Sequence, residues 1–260
     1  MIILIHTSKT MRPPAQKSSQ SQTPELIYMA KTLAEYLKSI KKSDLIQVMH
    51  LSQKLADKTC ELITSWTDLE KFQRTAIDSF LGDIYSGLQV QDWSKKDLDY
   101  SNKSLRIISG LYGILRPLDG IYPYRLEMGY KLPDEKFSNL YSYWSDQIAN
   151  TLPSDETIIN LAAKEYSKVV TDFIDSSRII SPVFLTQDKD SNTPKFIVVH
   201  AKIARGAFAR WLIKNRINEI RDLRNFNELG YEYSHQLSYN NSPTFVCKSF
   251  KGLGLSVRLK

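Results

Sequence analysis

Residues 109–128 read SGLYGILRPLDGIYPYRLEM. Within this stretch Arg116, Asp119, Arg125 and Glu127 alternate with Gly110, Gly113, Gly120, Pro117 and Pro123, and Arg106 lies just upstream. Glycine lets backbone approach a ligand closely and proline fixes the path of a loop, so charged side chains set between them are held at little entropic cost. The plainer reading of the same residues is a structural loop whose arginines tie carboxylates together. From 102 to 133 the chain has little periodicity, which predicts a long structured loop crossing the scaffold. Loops of that length are functional or disordered, and the aromatic content argues against disorder.

Upstream, FLGDIYSGL at 80–88 repeats the pattern on a smaller scale, with Asp83 and Tyr85 between two glycines. Residues 2–5 read as a buried strand, and the polar, proline-containing segment 12–22 reads as a loop. Thr23-Pro24 looks like an N-cap with proline at the first helical position, and Leu26, Met29, Ala30, Leu33 and Leu37 recur at helical spacing. Helix, broken by turns, is expected to continue to about residue 79. Downstream, the pattern predicts a strand at 157–162, a helix at 164–176 and a hairpin over 178–200 turning at 188–192. A helix at 202–217 follows, with strands near 231–238 and 244–250 finishing a mixed sheet.

Three further segments bear on chemistry. On the 164–176 helix Glu165 sits at the edge of an apolar face formed by Tyr166, Val169, Val170, Phe173 and Ile174, where a carboxylate should be partly desolvated. In the next helix Lys202, Arg205, Ala209 and Arg216 fall on one stripe, with Gly206 leaving room for a ligand. The start of that helix adds free N–H groups and partial positive charge, which suits an anion. A solvated basic face explains the same residues. Residues 45–56, LIQVMHLSQKLA, read as two helices around a tight turn at His50-Leu51-Ser52. They fit either a helix-hairpin-helix DNA-binding element, with Lys54 and Lys58 beside it, or a plain helical hairpin.

The 260 residues are 42% hydrophobic and 24% charged, an ordinary globular composition. Cys60 and Cys247 are too few for a disulfide framework. The apolar run at 2–5 is too short for a signal peptide or a membrane span, so the chain reads as cytosolic. The net charge of +7 is unevenly distributed, with a basic N-terminal fifth, an acidic middle and a basic C-terminal quarter. If the two ends fold to one face, their field attracts a polyanion or a phosphorylated small molecule. Zinc-ligand spacing, a Walker loop and a dinucleotide fingerprint are absent, and the four histidines lack metal spacing. Neither a metal nor a cofactor is expected.

The blocks SKT at 8–10, GDIYSGL at 82–88, SGLYGILRPLDGIYPYRLEMG at 109–129, the segment 141–144, INLAAKEY at 159–166 and AKIARG at 201–206 together resemble the YaaA family of bacterial peroxide-stress proteins over essentially the whole chain. Lys9, Asp83, Arg116, Arg125, Glu127, Glu165, Lys202 and Arg205 match that pattern. HTSKTM departs from it before Lys9, where the family has proline and alanine, and Ala163 stands where serine is common. The resemblance implies a single mixed α/β (α+β) domain over 1–260, with surrounding helices, a helix-hairpin-helix element and a positively charged cleft. It also implies binding to duplex or branched DNA and a role in the peroxide response associated with less unincorporated iron.

The leading expectation is therefore a monomeric, non-sequence-specific DNA-binding stress protein. Its phosphate contacts would come from His50, Ser52, Lys54, Lys58, Lys202 and Arg205, with Lys9, Arg116 and Arg125 as further anion-binding groups. Carboxylates do not serve DNA phosphates. Lys9, Asp83, Glu127 and Glu165 thus sustain an alternative, an enzyme acting on a nucleotide or another phosphorylated or carboxylated small molecule, with Glu127 or Glu165 as acid or base.

Overall fold

The apolar run IILIH forms β1 (Ile2–His6), buried at every position. A strand covered on both faces reads as continuous apolar sequence rather than as alternation. The computed structural model describes residues 1–15, 21–69, 72–188 and 193–252. After β1 come three helices, α1 (Ile27–Ser39), α2 (Lys42–Met49) and α3 (Gln53–Thr64). Next are α4 (Asp83–Leu88) and α5 (Lys95–Ser104), leading into β2 (Leu105–Ser109) and β3 (Gly113–Leu115). The C-terminal half adds β4 (Ile158–Asn160), α6 (Lys164–Thr171), β5 (Ile179–Ile180), β6 (Val183–Gln187) and β7 (Pro194–Lys195). It ends with α7 (Val198–Lys214), β8 (Tyr231–Tyr233) and β9 (Thr244–Cys247). The fold is mixed α+β around one continuous hydrophobic core.

The strands form two principal sheets rather than the single mixed sheet expected. The first has the order β3-β2-β1-β4-β5, parallel throughout except for antiparallel β3. The second has the order β7-β6-β9-β8, with β6 and β9 parallel. Two short antiparallel ribbons fasten the loops: Thr10–Met11 against Phe80–Leu81, and Arg74–Thr75 against Gly120–Ile121.

The segment 102–133 is not a long loop. It holds the C-terminal end of α5, then β2, which pairs with β1 in the middle of the first sheet, then β3 and the ribbon strand Gly120–Ile121. β2 gave no alternating signal because both its faces are covered, and four of its five residues are buried. Arg106 within it turns back to donate to the carbonyls of Asn102, Lys103 and Leu105, satisfying acceptors that the end of α5 leaves open.

Helix α1 begins at Ile27, later than Thr23-Pro24 suggested, because Gln22 is bridged to Asp119 and the Thr23 carbonyl accepts from Arg116. That pairing holds the chain extended. The helical region ends at Thr64 except for the single turn Ala76–Ser79. Helix α6 stops at Thr171, leaving Phe173 47% exposed instead of on its apolar face. In the predicted hairpin, β5 joins the first sheet while β6 and β7 pair in the second; residues 189–192 of its turn lie outside the described residues. Among the described residues no helix is long and apolar enough to cross a membrane.

Helix α7 lies between the second sheet and α4. Toward the sheet, Phe208 meets Phe184, Phe226 and Phe245, all fully buried. Toward α4 the backbones touch: a methyl group at Gly206 would stand 1.8 Å from the Ile84 carbonyl oxygen, and one at Gly87 would stand 2.0 Å from that of Ile203. The space expected beside Gly206 for a ligand is therefore filled by α4. Gly206→Ala gains about 1 kcal/mol of helix propensity. It must also push two packed helices apart, and overpacking costs roughly 1–3 kcal/mol or more when backbone has to move. The expected net loss is on the order of 2 kcal/mol in denaturant unfolding. Gly87→Ala strikes the same contact, so the double variant should lose less than the sum of the two.

Candidate functional site

In a parallel sheet, loops leaving the carboxyl ends of neighbouring strands diverge where the strand order reverses, and the crevice between them receives ligands. Here that point is β1, flanked by β2 on one side and β4 on the other. A cavity of about 370 Å³ opens there, lined by residues that follow β1, by the start of α4, by Glu127 and by the start of α6. It brings together Lys9, Asp83, Glu127, Glu165 and Lys202.

Each group has an identifiable support. Lys9 follows β1 and is fixed at its base by the Thr10–Met11 ribbon; its ammonium is 3.6 Å from Glu127 and half exposed. Asp83 opens α4 directly after Gly82, whose φ of +148° and contact with the Ser8 hydroxyl leave no place for a side chain. Glu165 opens α6, where its carboxylate accepts from the Gly129 N–H at 3.0 Å and its carbonyl accepts from the Tyr141 hydroxyl at 2.9 Å. The side chain is exposed, not partly desolvated as its place on the helix suggested. Lys202 sits in the second turn of α7, which begins at Val198. Lys202 and Arg205 therefore lie within a helix and not at its N-terminus. The predicted stripe is also broken, since Ala209 is fully buried and Arg216 lies beyond the helix, paired with Asp97.

The Glu127 side chain is largely withdrawn from solvent, 12% exposed. Burial raises its pKa; Lys9, Tyr166 and Arg125 oppose that rise and Glu165 adds to it. A carboxyl held above its ordinary range beside cations suits a group that exchanges a proton with a ligand. Around it stand groups that the sequence did not single out. Tyr166, 3% exposed, directs its hydroxyl toward Glu127 and Thr7 without completing a well-formed hydrogen bond. His6, 7% exposed, stacks on the Tyr166 ring at 4.7 Å and accepts the Ala163 N–H on Nδ1 at 3.2 Å. That bond leaves the imidazole proton on Nε2. Burial first, then Arg205 and Lys202, lower its pKa to about 3.

The remaining sequence candidates separate by place. Arg125 lies under the pocket, one N–H reaching the Lys9 carbonyl at 3.5 Å and its Nε buried with no partner. Arg116 is architectural: it donates to Asp119 through its backbone and guanidinium and to the Thr23 carbonyl. Arg205 faces a neighbouring cleft. His50, Ser52, Lys54 and Lys58 are exposed on the α2–α3 turn and do not line either cavity. There His50 takes the left-handed conformation (φ 50°) in place of a glycine, and Ser52 caps α3 by accepting from Leu55 N–H.

The model of the family described as peroxide stress protein YaaA matches residues 1–237. The chain belongs to this family. Among its relatives, a UPF0246 protein of Salinispora tropica is 51% identical over 258 residues, covering 99% of this chain and 98% of its own. A UPF0246 protein of Clostridium perfringens is 36% identical over 254 residues, covering 95% and 99%. Membership of the YaaA family places the chain in the response to oxidative stress. Parts of the blocks that carried the resemblance line the pocket: Ser8 and Lys9, residues 82–85, Glu127, Ala163, Glu165 and Tyr166, and Lys202.

Proposed function

We propose that this cytosolic peroxide-stress protein acts on a small phosphorylated or carboxylated molecule in the pocket beneath β1. Glu127 exchanges a proton with the ligand, while Lys9 and Lys202 hold its negative charge. The observation that carries this reading is the convergence of Glu127, largely withdrawn from solvent and with a raised pKa, with two lysines and two further carboxylates on one cavity. Neutral His6 supplies an N–H donor on the pocket floor, and the Tyr166 hydroxyl stands ready to hydrogen-bond either Glu127 or the ligand. The physiological output is the one the resemblance implies, peroxide protection with a smaller pool of unincorporated iron.

A second reading, binding of duplex or branched DNA without strong sequence preference, draws support from the exposed α2–α3 turn, where Lys54 and Lys58 flank the Ser52-capped start of α3. Two variants separate the readings. Lys54→Ala with Lys58→Ala should weaken binding to duplex and junction DNA and flatten its salt dependence by about two counterions, leaving peroxide survival of complemented cells unchanged. Lys9→Ala should reduce survival and leave DNA affinity intact. Loss of survival with the hairpin pair alone would sink the pocket reading.

A further inference from the structure

On the other side of the first turn of α6 lies a wider cleft of about 950 Å³. Its charged lining consists of Arg205 and Lys164, set among the neutral hydrogen-bonding side chains Asn160, Ser167, Ser181 and Asn241; among the described residues no carboxylate lines it. Arg205 is half-buried, and burial lowers its pKa. Other half-buried arginines have acceptors: Arg116, Arg210 and Arg216 each pair with a carboxylate, and Arg106 and Arg178 donate to backbone carbonyls. The Arg205 guanidinium has no hydrogen bond or ion pair among the described residues. A guanidinium taken partly out of water without a counter-charge is costly, and an anion entering the cleft removes that cost.

We propose that this cleft is a phosphate-monoester site, in which the Arg205 guanidinium grips the phosphate, Lys164 adds a second positive charge, and the amides and hydroxyls of Asn160, Ser167 and Asn241 complete the contacts. The planar fork of arginine matches two phosphate oxygens at once. For the other end of the ligand the inference rests on the pocket reading above. Arg205 and Lys202 are less than one turn apart on α7, and both charges act on His6, which floors the central pocket. One molecule can therefore lay its phosphate in the cleft and its proton-exchanging group against Glu127. This divides the labour between two compartments, the cleft with two cations and no carboxylate, and the pocket with three carboxylates and two lysines. Duplex DNA is disfavoured here because Arg205 is sunk in a concavity, whereas backbone phosphates of a duplex are met by exposed side chains such as Lys54 and Lys58.

The test is titration of inorganic phosphate and of glycerol 3-phosphate into the full chain at fixed ionic strength, followed by calorimetry and amide chemical shifts. Saturable binding is expected, with the monoester preferred. It should weaken about tenfold or more in Arg205→Gln, recover in part in Arg205→Lys and persist in Glu127→Gln. Thermal melts verify that each variant folds. The proposal is overturned by no saturable binding by the wild-type chain, by unchanged binding in Arg205→Gln, or by loss of phosphate binding in Glu127→Gln, which would put the anion in the central pocket. It is also overturned by a short duplex that needs Arg205 while neither phosphate binds. Failure of the pocket reading is seen elsewhere, as undiminished peroxide survival of Glu127→Gln, and leaves the phosphate titration free to succeed.

Discussion

Glu127→Gln is expected to abolish peroxide protection while leaving the protein at least as stable as wild type at neutral pH. The amide keeps the shape of the side chain and loses the ionisable carboxyl, and with it the ion pair to the half-exposed Lys9. A positioned acid or base contributes roughly 10²–10⁴-fold to a rate, so once the ligand is known turnover should fall by at least about 100-fold. Until then the measurement is survival of complemented cells in hydrogen peroxide, alongside unfolding of the purified variant.

The stability half of this expectation follows from the direction of the pKa shift. Burial raises the folded-state pKa of Glu127 above its unfolded value. Across that interval the folded chain binds more protons than the unfolded chain, so this group disfavours the folded state as pH rises through it. Above that interval the ionised carboxylate is a residual cost that glutamine does not carry, and at pH below the unfolded value both forms are uncharged and the difference disappears. A variant that is inactive and equally or more stable at pH 7 identifies a residue kept for chemistry. A variant that loses stability and function together would instead make Glu127 a structural anchor for Lys9, and the acid–base role would be withdrawn.

How much of this was legible in the sequence depended on which force fixed each element. β1, α6 and α7 were readable because an apolar run or a helical period stands within one segment. β2 was not, since a strand covered on both faces carries no alternation, and glycines and prolines surround it. Asp83 and Glu127 were found from their setting among glycines, Glu165 and Lys202 from helical spacing and Lys9 from the family resemblance, but glycine had two meanings that a single sequence does not separate. Gly82 clears space beside Ser8 at the pocket, whereas Gly206 and Gly87 let two helix backbones meet. Arg116 and Arg125 looked alike for a similar reason: one closes a buried pair with Asp119, and the other underlies the site. His6 and Tyr166 were passed over because their importance lies in a stack between residues 160 positions apart, and the apolar face of α6 accounted for the tyrosine by itself.

His6 supports the second large prediction, in which the acid limb of the stability curve should flatten on substitution. Its folded-state pKa is about 3 against an ordinary value of 6.5, so between those limits the unfolded chain holds the extra proton. Stability from the neutral, buried imidazole is fully present above pH 6.5 and is lost as pH falls toward 3. At about 1.4 kcal/mol per pH unit the loss is on the order of 5 kcal/mol. This is opposite in sign to Glu127, so the two substitutions should bend the acid limb in opposite directions. His6→Gln keeps an acceptor for the Ala163 N–H and removes the titration. Denaturant unfolding from pH 4 to 7 should therefore show a shallower loss in the variant, and the imidazole resonances of the wild type should not titrate across that range. A His6 resonance that titrates near pH 6, or equal acid slopes in the two proteins, would show that the ring takes up a proton in the folded state. The functional consequence rests on that outcome. If the ring stays neutral at neutral pH, it presents a fixed N–H to the pocket without adding charge, and the lysines supply the positive charge that an anion meets there.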